Sequence, residues 1–148
     1  MRTNIRQHGF TLLEMMAVVA IFGVLSGIAI INLKEFSNPV ENGAAQLLGF
    51  MKQARARALS TTSAYFVMPT SVTHIITKYG VNCSDGAPVV DSTLTMNLPS
   101  GASLTATNWS ICFTARGLSD SNTTVVVSDG SGSKTLEVLL GGGLRIQE

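Results

Sequence analysis

The apolar positions of this chain fall into three successive regimes. Residues 10–33 read FTLLEMMAVVAIFGVLSGIAIINL, 24 residues with one charge. A helix of that length spans about 36 Å, and about 20 residues suffice to cross a bilayer. From Val40 the pattern changes. Val40, Ala44, Leu47, Met51, Ala54 and Ala58 recur every three or four positions, with Glu41, Gln46, Lys52, Arg55 and Arg57 on the opposite face. That spacing predicts an amphipathic helix with one side on a sheet. Pro39, after Ser37 and Asn38, is expected to end or kink the helix before it. From Ala64 the chain turns to short runs rich in Val, Ile, Thr and aromatics, as strands are. They fall at 64–68, 72–78, 93–98, 109–114, 123–128, 134–140 and 144–146. Turn signals separate them: Asp85-Gly86, Pro99-Ser100-Gly101, Arg116-Gly117, Asp129-Gly130-Ser131-Gly132 and the glycines 141–143. The expected fold is α+β. Its parts are a leader (1–9), an apolar helix (10–33), an amphipathic helix (34–62) and a β-rich head (63–148).

Charge orients these parts. Arg2 and Arg6, with His8, precede the apolar run, while Lys34 and Glu35 after it cancel. The positive-inside tendency therefore puts the leader in the cytoplasm and the head across the membrane. A secretory signal peptide would have a shorter apolar region, about 7–15 residues, followed by a small-residue cleavage site. It would not normally carry an acid such as Glu14. The full chain has a net charge of +1, and residues 10–148 hold eight basic and nine acidic residues. From Val40 onward there are seven of each, so the head is neutral. Phosphate binding usually needs several uncompensated Lys or Arg, so the overall balance gives no support to a nucleic-acid role.

Glu14 is the odd residue of the apolar run. A carboxylate in hydrocarbon costs on the order of 2–3 kcal/mol and marks a functional position by default. Were the chain cut before Phe10, Glu14 would lie about 6 Å along the helix from the new terminus. There the helix dipole favours a negative charge, and a new α-amino group could pair with it, most plausibly on a neighbouring subunit. Read alone, the position fits equally well a carboxylate that merely snorkels to the interface.

The stretch RQHGFTLLEMM, residues 6–16, resembles the signature of type IV prepilins and type II secretion pseudopilins. In that signature a glycine ends the leader, a phenylalanine follows, and a glutamate lies four residues later: here Gly9, Phe10 and Glu14. The resemblance implies cleavage by a prepilin peptidase between Gly9 and Phe10 and N-methylation of Phe10. It also implies docking of Glu14 on a neighbour's N-terminal amine. The fold it implies is type IV pilin-like: a long N-terminal helix, transmembrane in its first half, packed on a small antiparallel β-sheet head. Many major pilins have a proline inside the apolar segment; this chain has none before Pro39. Gly23 and Gly27 form a GxxxG spacing that would let helices approach closely, although glycine is common in membrane helices anyway. The stretches WSICFTARG and LEVLLGGGLRI resemble the heads of the GspH/FimT group of minor pilins and pseudopilins. One type in that group binds DNA through basic residues near its C-terminus. Here only Arg145 lies in the last segment, beside Glu148, so Lys52, Arg55, Arg57 and Arg145 are the candidate DNA contacts of a reading that is not favoured.

The two cysteines, Cys83 and Cys112, lie beyond the apolar run. In a head outside the cytoplasm a disulfide between them is the default; two buried free thiols are the alternative. No catalytic constellation and no cofactor motif appears. His8 and His74 are isolated, neither cysteine has a partner at zinc spacing, and the acidic glycine-rich turn at Asp129 has too few carboxylates for calcium. The expected role is structural: a minor pilin or pseudopilin with no enzymatic activity. Its partners would be other pilins, the prepilin peptidase and the inner membrane, and its head would lie in the periplasm or at the surface. A DNA-binding competence pilin and a type II secretion pseudopilin are the alternatives.

Overall fold

A computed structural model describes residues 11–35 and 38–147, with side chains for all of these except 27–35. Residues 1–37 and 38–148 form separate compact units. In the first, α1 runs Leu12–Glu35. The second holds α2 (Pro39–Thr61) and eight strands.

Pro39 opens a helix here. It stands in the first turn of α2, where a missing N–H costs nothing. Asn38 is the N-cap, its Oδ1 accepting from the N–H groups of Val40 (3.1 Å) and Glu41 (3.3 Å). The six residues of the expected apolar face are all buried, joined by Gly43 and Phe50. Gly43 is needed for close approach, because a Cβ there would come within 3.1 Å of Ala102 Cβ and 3.2 Å of Val127 Cγ1. At the other end Thr62 takes a left-handed conformation (φ 55°) to stop the helix.

The strands are β1 (Ala64–Pro69), β2 (His74–Gly80), β3 (Val89–Asn97), β4 (Ser103–Leu104), β5 (Ile111–Phe113), β6 (Thr123–Ser128), β7 (Ser133–Val138) and β8 (Leu144–Gln147). They are divided between two four-stranded antiparallel sheets, in the orders β3-β2-β1-β5 and β4-β6-β7-β8. Helix α2 packs on strands of both. Leu47 and Met51 of the helix share one core with Val67, Ile75 and Phe113 of the first sheet and Val127, Leu136 and Val138 of the second. Burying such side chains contributes about 1.5–3 kcal/mol each, so α2 joins the two sheets through a common apolar layer.

Several strand limits differ from the sequence pattern, each for a local reason. The third strand begins at Val89, not at 93. Its register with β2 shifts where Asp91 faces Thr77 and Thr95 faces Ile76, leaving residues 92–94 without partners there. That bulge breaks the alternation on which the reading depended. The Thr77 hydroxyl, buried, donates to Leu94 O (2.9 Å) across it. The second strand starts at His74 because Val72 O accepts from Leu104 N (2.7 Å) of the other sheet. Trp109 stays outside β5, its indole N–H donating to Ala106 O (3.0 Å). The seventh strand ends at Val138, where Leu139 and residues 141–143 turn the chain. The two residues of β4 are too few to show any period.

Cys83 and Cys112 are joined, with S–S 2.01 Å and Cα–Cα 5.8 Å. The bond ties the loop after β2 to β5, an edge strand of only three residues. The backbone of Cys112 is held as well: its N–H donates to Asp120 Oδ1 (3.0 Å) and its carbonyl accepts from Asp120 N (3.0 Å).

Candidate functional site

The N-terminal unit supplies the first candidate. Every described side chain of α1, residues 12–26, is exposed. Leu12 and Leu13 are 78% accessible and Val19 70%. Leu12, Met15, Met16, Val19 and Ala20 line one apolar groove, and Ala20, Ile21, Val24 and Leu25 another. A helix whose described side chains are apolar on all sides and exposed is built for a non-aqueous environment or for packing among other helices. Gly23 fits that: a Cβ there would meet nothing within 4 Å among the described residues. The side-chain surroundings at Gly27 lie outside the described residues. Among the described residues no helix is long and apolar enough to cross a membrane; on α1 the described side chains stop at residue 26. Gly9 and Phe10 also lie outside the described residues.

Glu14 is one half of a capping box. The Thr11 N–H donates to Glu14 Oε2 (3.1 Å), as does the Thr11 hydroxyl (3.3 Å), while Glu14 N–H donates back to Thr11 Oγ1 (3.2 Å). Thr11 thus acts as N-cap of α1 and Glu14 as its N3 partner. The signal is present in the sequence as Thr-Leu-Leu-Glu, residues 11–14. The box gives the only acid among the described α1 side chains a fixed place at the positive end of the helix dipole.

The basic residues of the head are placed differently from a solvated cluster. Arg55 is half-buried, and its Nε donates to Gly117 O (2.8 Å) in the loop after β5. Arg57 pairs with Asp91 Oδ2 (2.5 Å) and donates to Thr93 Oγ1 (2.6 Å). Asp91 is buried by the β3 bulge. Burial alone would raise its pKa. Hydrogen bonds from the Thr93 hydroxyl and N–H, then the Arg57 guanidinium, outweigh that and hold the carboxyl below its usual range. The sequence could not show this clasp, because Arg57 and Asp91 meet only when α2 lies on the first sheet. Arg145, on β8, pairs with Glu137 of β7, and Gln147 Nε2 donates to the same Glu137 oxygen (3.0 Å). The Arg145 hydrogen bond is the main reason that the Glu137 pKa is lowered. Of the four residues considered for DNA, only Lys52 is an exposed side chain without such a role in the head. Arg55, Arg57 and Arg145 each donate from one guanidinium nitrogen to a partner in the head, and Arg145 stays 62% accessible.

His74 Nδ1 lies 2.7 Å from Asn97 Oδ1, a cross-strand contact. Asp129 Oδ1 accepts from Ser131 N–H, Ser131 hydroxyl and Gly132 N–H, which closes its turn. Among the described residues no group of three or more His, Cys, Asp or Glu could hold a metal ion.

Comparison with known proteins agrees with both units. Residues 4–30 match the family model described as the prokaryotic N-terminal methylation motif. No curated protein matches the chain in sequence. Among solved structures, the type IV minor pilin FimU of Pseudomonas aeruginosa is similar at 18% identity, over 75% of this chain and 90% of that one, with a TM-score of 0.55. The minor pseudopilin EpsH of the Vibrio cholerae type 2 secretion system is similar at 12% identity, over 74% of this chain and 97% of that one, with a TM-score of 0.56. At such identities the likeness is one of fold. The chain thus carries a prokaryotic N-terminal methylation motif on residues 4–30 and shares its fold with a type IV minor pilin and a minor pseudopilin.

Proposed function

We propose that the chain is a minor type IV pilin or pseudopilin, a structural subunit built into a filament through α1. A prepilin peptidase removes residues 1–9 by cutting between Gly9 and Phe10, and the new Phe10 amine is methylated. Before assembly α1 lies in the inner membrane with the head on the periplasmic side. The observation that carries this reading is the methylation motif on residues 4–30, which overlaps a helix whose described apolar side chains are exposed. The 24-residue apolar run supports a membrane position for α1. The Cys83–Cys112 bond supports a head outside the reducing cytoplasm.

In the filament, Glu14 accepts the N-terminal amine of a neighbouring subunit, and Gly23 and Gly27 admit a neighbouring helix at close range. Cutting at Gly9 removes Arg2 and Arg6, which otherwise hold the segment at the cytoplasmic face. DNA capture is disfavoured by the internal pairing of Arg55, Arg57 and Arg145.

The docking role is tested by Glu14→Ala in cells that assemble the filament. Leaving an amine unpaired among apolar helices costs several kcal/mol, so the variant is expected to be processed normally but recovered in filaments at about one tenth of the wild-type level or less. Wild-type incorporation of the processed variant contradicts the role.

A further inference from the structure

The geometry points to a receptor for the free C-terminal end of another polypeptide, in the groove between the loop after β2 and the loop after β5. This site is independent of the filament reading. The groove has a volume of about 370 Å³, lined by residues 81–83 on one side and by Thr114, Ala115, Arg116 and Leu118 on the other. Ligand clefts begin at about 300 Å³. A space of that size takes one or two side chains rather than a helix about 10 Å across. Val81 is 82% and Leu118 45% exposed, yet each stands on a tied loop. Val81 N–H donates to Asp85 Oδ2 (3.0 Å) and Asp85 N–H to Asn82 O (3.1 Å). Thr114 N–H donates to Leu118 O (2.8 Å), Gly117 N–H to Thr114 O (2.8 Å) and Arg55 Nε to Gly117 O (2.8 Å). The Cys83–Cys112 bond joins the first wall to the strand that leads into the second. Walls fixed in this way need little ordering when a ligand arrives.

Charge selects the occupant. Arg116 is exposed, and the ion pairs among the described residues are Arg57–Asp91 and Arg145–Glu137, so its guanidinium has no acid there. The acids of the two loops are engaged by backbone. Asp85 accepts from the N–H groups of Val81 and Ala87, and Asp120 Oδ1 from that of Cys112. The N–H groups of Ala115 and Arg116, the central pair of the Thr114–Gly117 turn, meet no acceptor among the described residues. Successive turn N–H groups form a site for an anion, and arginine holds a carboxylate through two parallel hydrogen bonds. Beside these donors lie Val81, Ala115 and Leu118, an apolar trough. A chain end with an apolar last residue meets both halves of the groove at once, because its carboxylate and its side chain share one Cα. An internal Asp or Glu would need a second residue to fill the trough, and a phosphate group brings nothing apolar.

The test uses the full chain in phosphatidylcholine nanodiscs, with empty nanodiscs as the blank, and three fluorescent peptides followed by anisotropy. One is a glycine-serine peptide ending in leucine with a free carboxylate. The second is the same peptide with a C-terminal amide. The third is amidated and carries an internal glutamate next to leucine. The free acid should bind at least about tenfold more tightly than either amide, the loss expected for one charge-assisted contact. Arg116→Gln, at an exposed side chain, should remove that advantage and leave the amides unchanged. Val81→Ser, also at an exposed side chain, should weaken the free acid and its amide alike. Mass analysis confirms the Cys83–Cys112 bond in each variant. Equal binding of acid and amide, an advantage that survives Arg116→Gln, or no effect of Val81→Ser overturns the inference. So does binding of the internal glutamate peptide as tightly as the free acid, which makes the site one for acidic side chains. Failure of the free acid to bind below about 1 mM overturns it too, as does self-association of the chain through this face, which assigns the groove to a second copy.

Discussion

Replacing both cysteines, Cys83→Ala with Cys112→Ala, should lower the stability of the head by about 3–4 kcal/mol. The bond closes a loop with a sequence separation of 29 residues, and the chain-entropy relation gives about that value for such a loop. Small domains have only about 5–15 kcal/mol in total. The location makes the loss concrete. Cys112 sits on β5, three residues long, whose ladder to β1 has three residue pairs. The loop bearing Cys83 connects β2 to β3 and leaves Val81 82% exposed, so little apolar packing holds it there. Residues 38–148 form a compact unit of their own, and thermal unfolding of that segment is the measurement. A fall in Tm of about 15 °C or more is expected, at roughly 4–8 °C per kcal/mol for a domain near this size. A change of only a few degrees contradicts the stabilising role. Alanine is the better replacement at Cys112, which is 1% accessible, because serine would add a buried hydroxyl.

The second large effect lies at Gly142. Three glycines stand in a row before β8, and only the middle one is required. Gly142 has φ +73°, and a Cβ there would overlap the carbonyl oxygen of Gly117 and come within 2.9 Å of Arg55 Nε. Those are the two partners of the Arg55–Gly117 hydrogen bond. One methyl group would therefore strain the turn by about 1–2 kcal/mol and force apart a bond that links α2 to the loop after β5. A charge-assisted hydrogen bond of this kind contributes about 1.5–3 kcal/mol. Gly142→Ala should cost about 3–4 kcal/mol in denaturant unfolding of residues 38–148. Gly141→Ala is the control, since a Cβ there meets nothing within 4 Å, and it should stay within about 0.5 kcal/mol of wild type. Equal effects at the two positions contradict the proposed brace.

These residues show what the sequence could and could not express. Most of the buried face of α2 was legible, because helical periodicity is a local property and six positions from Val40 to Ala58 obey it, with Gly43 and Phe50 completing the face. Six of the strands were legible to within a few residues, and so was the turn at 141–143. The division into two sheets was not, since alternation marks which face of a strand is buried and not which strand lies beside it. The β3 start was hidden by the bulge at Asp91, and β4 by its length. In the site, the Thr11–Glu14 box was present in the sequence as a four-residue signature. The clasp of Arg57 with Asp91 and the brace of Arg55 with Gly117 were not, because each joins residues that only the packed fold brings together. An arginine on the polar face of a helix looks the same in sequence whether it faces solvent or reaches over to a neighbouring strand.

Everything proposed for the N-terminal unit depends on one processing event, and the most direct test is the mass and N-terminal residue of the chain recovered from filament-bearing cells. The expected result is a filament-associated chain that begins at Phe10, carries one methyl group on its amine and retains the Cys83–Cys112 bond. A filament fraction containing the chain with residues 1–9 intact, or a chain found wholly apart from filaments and membranes, contradicts it.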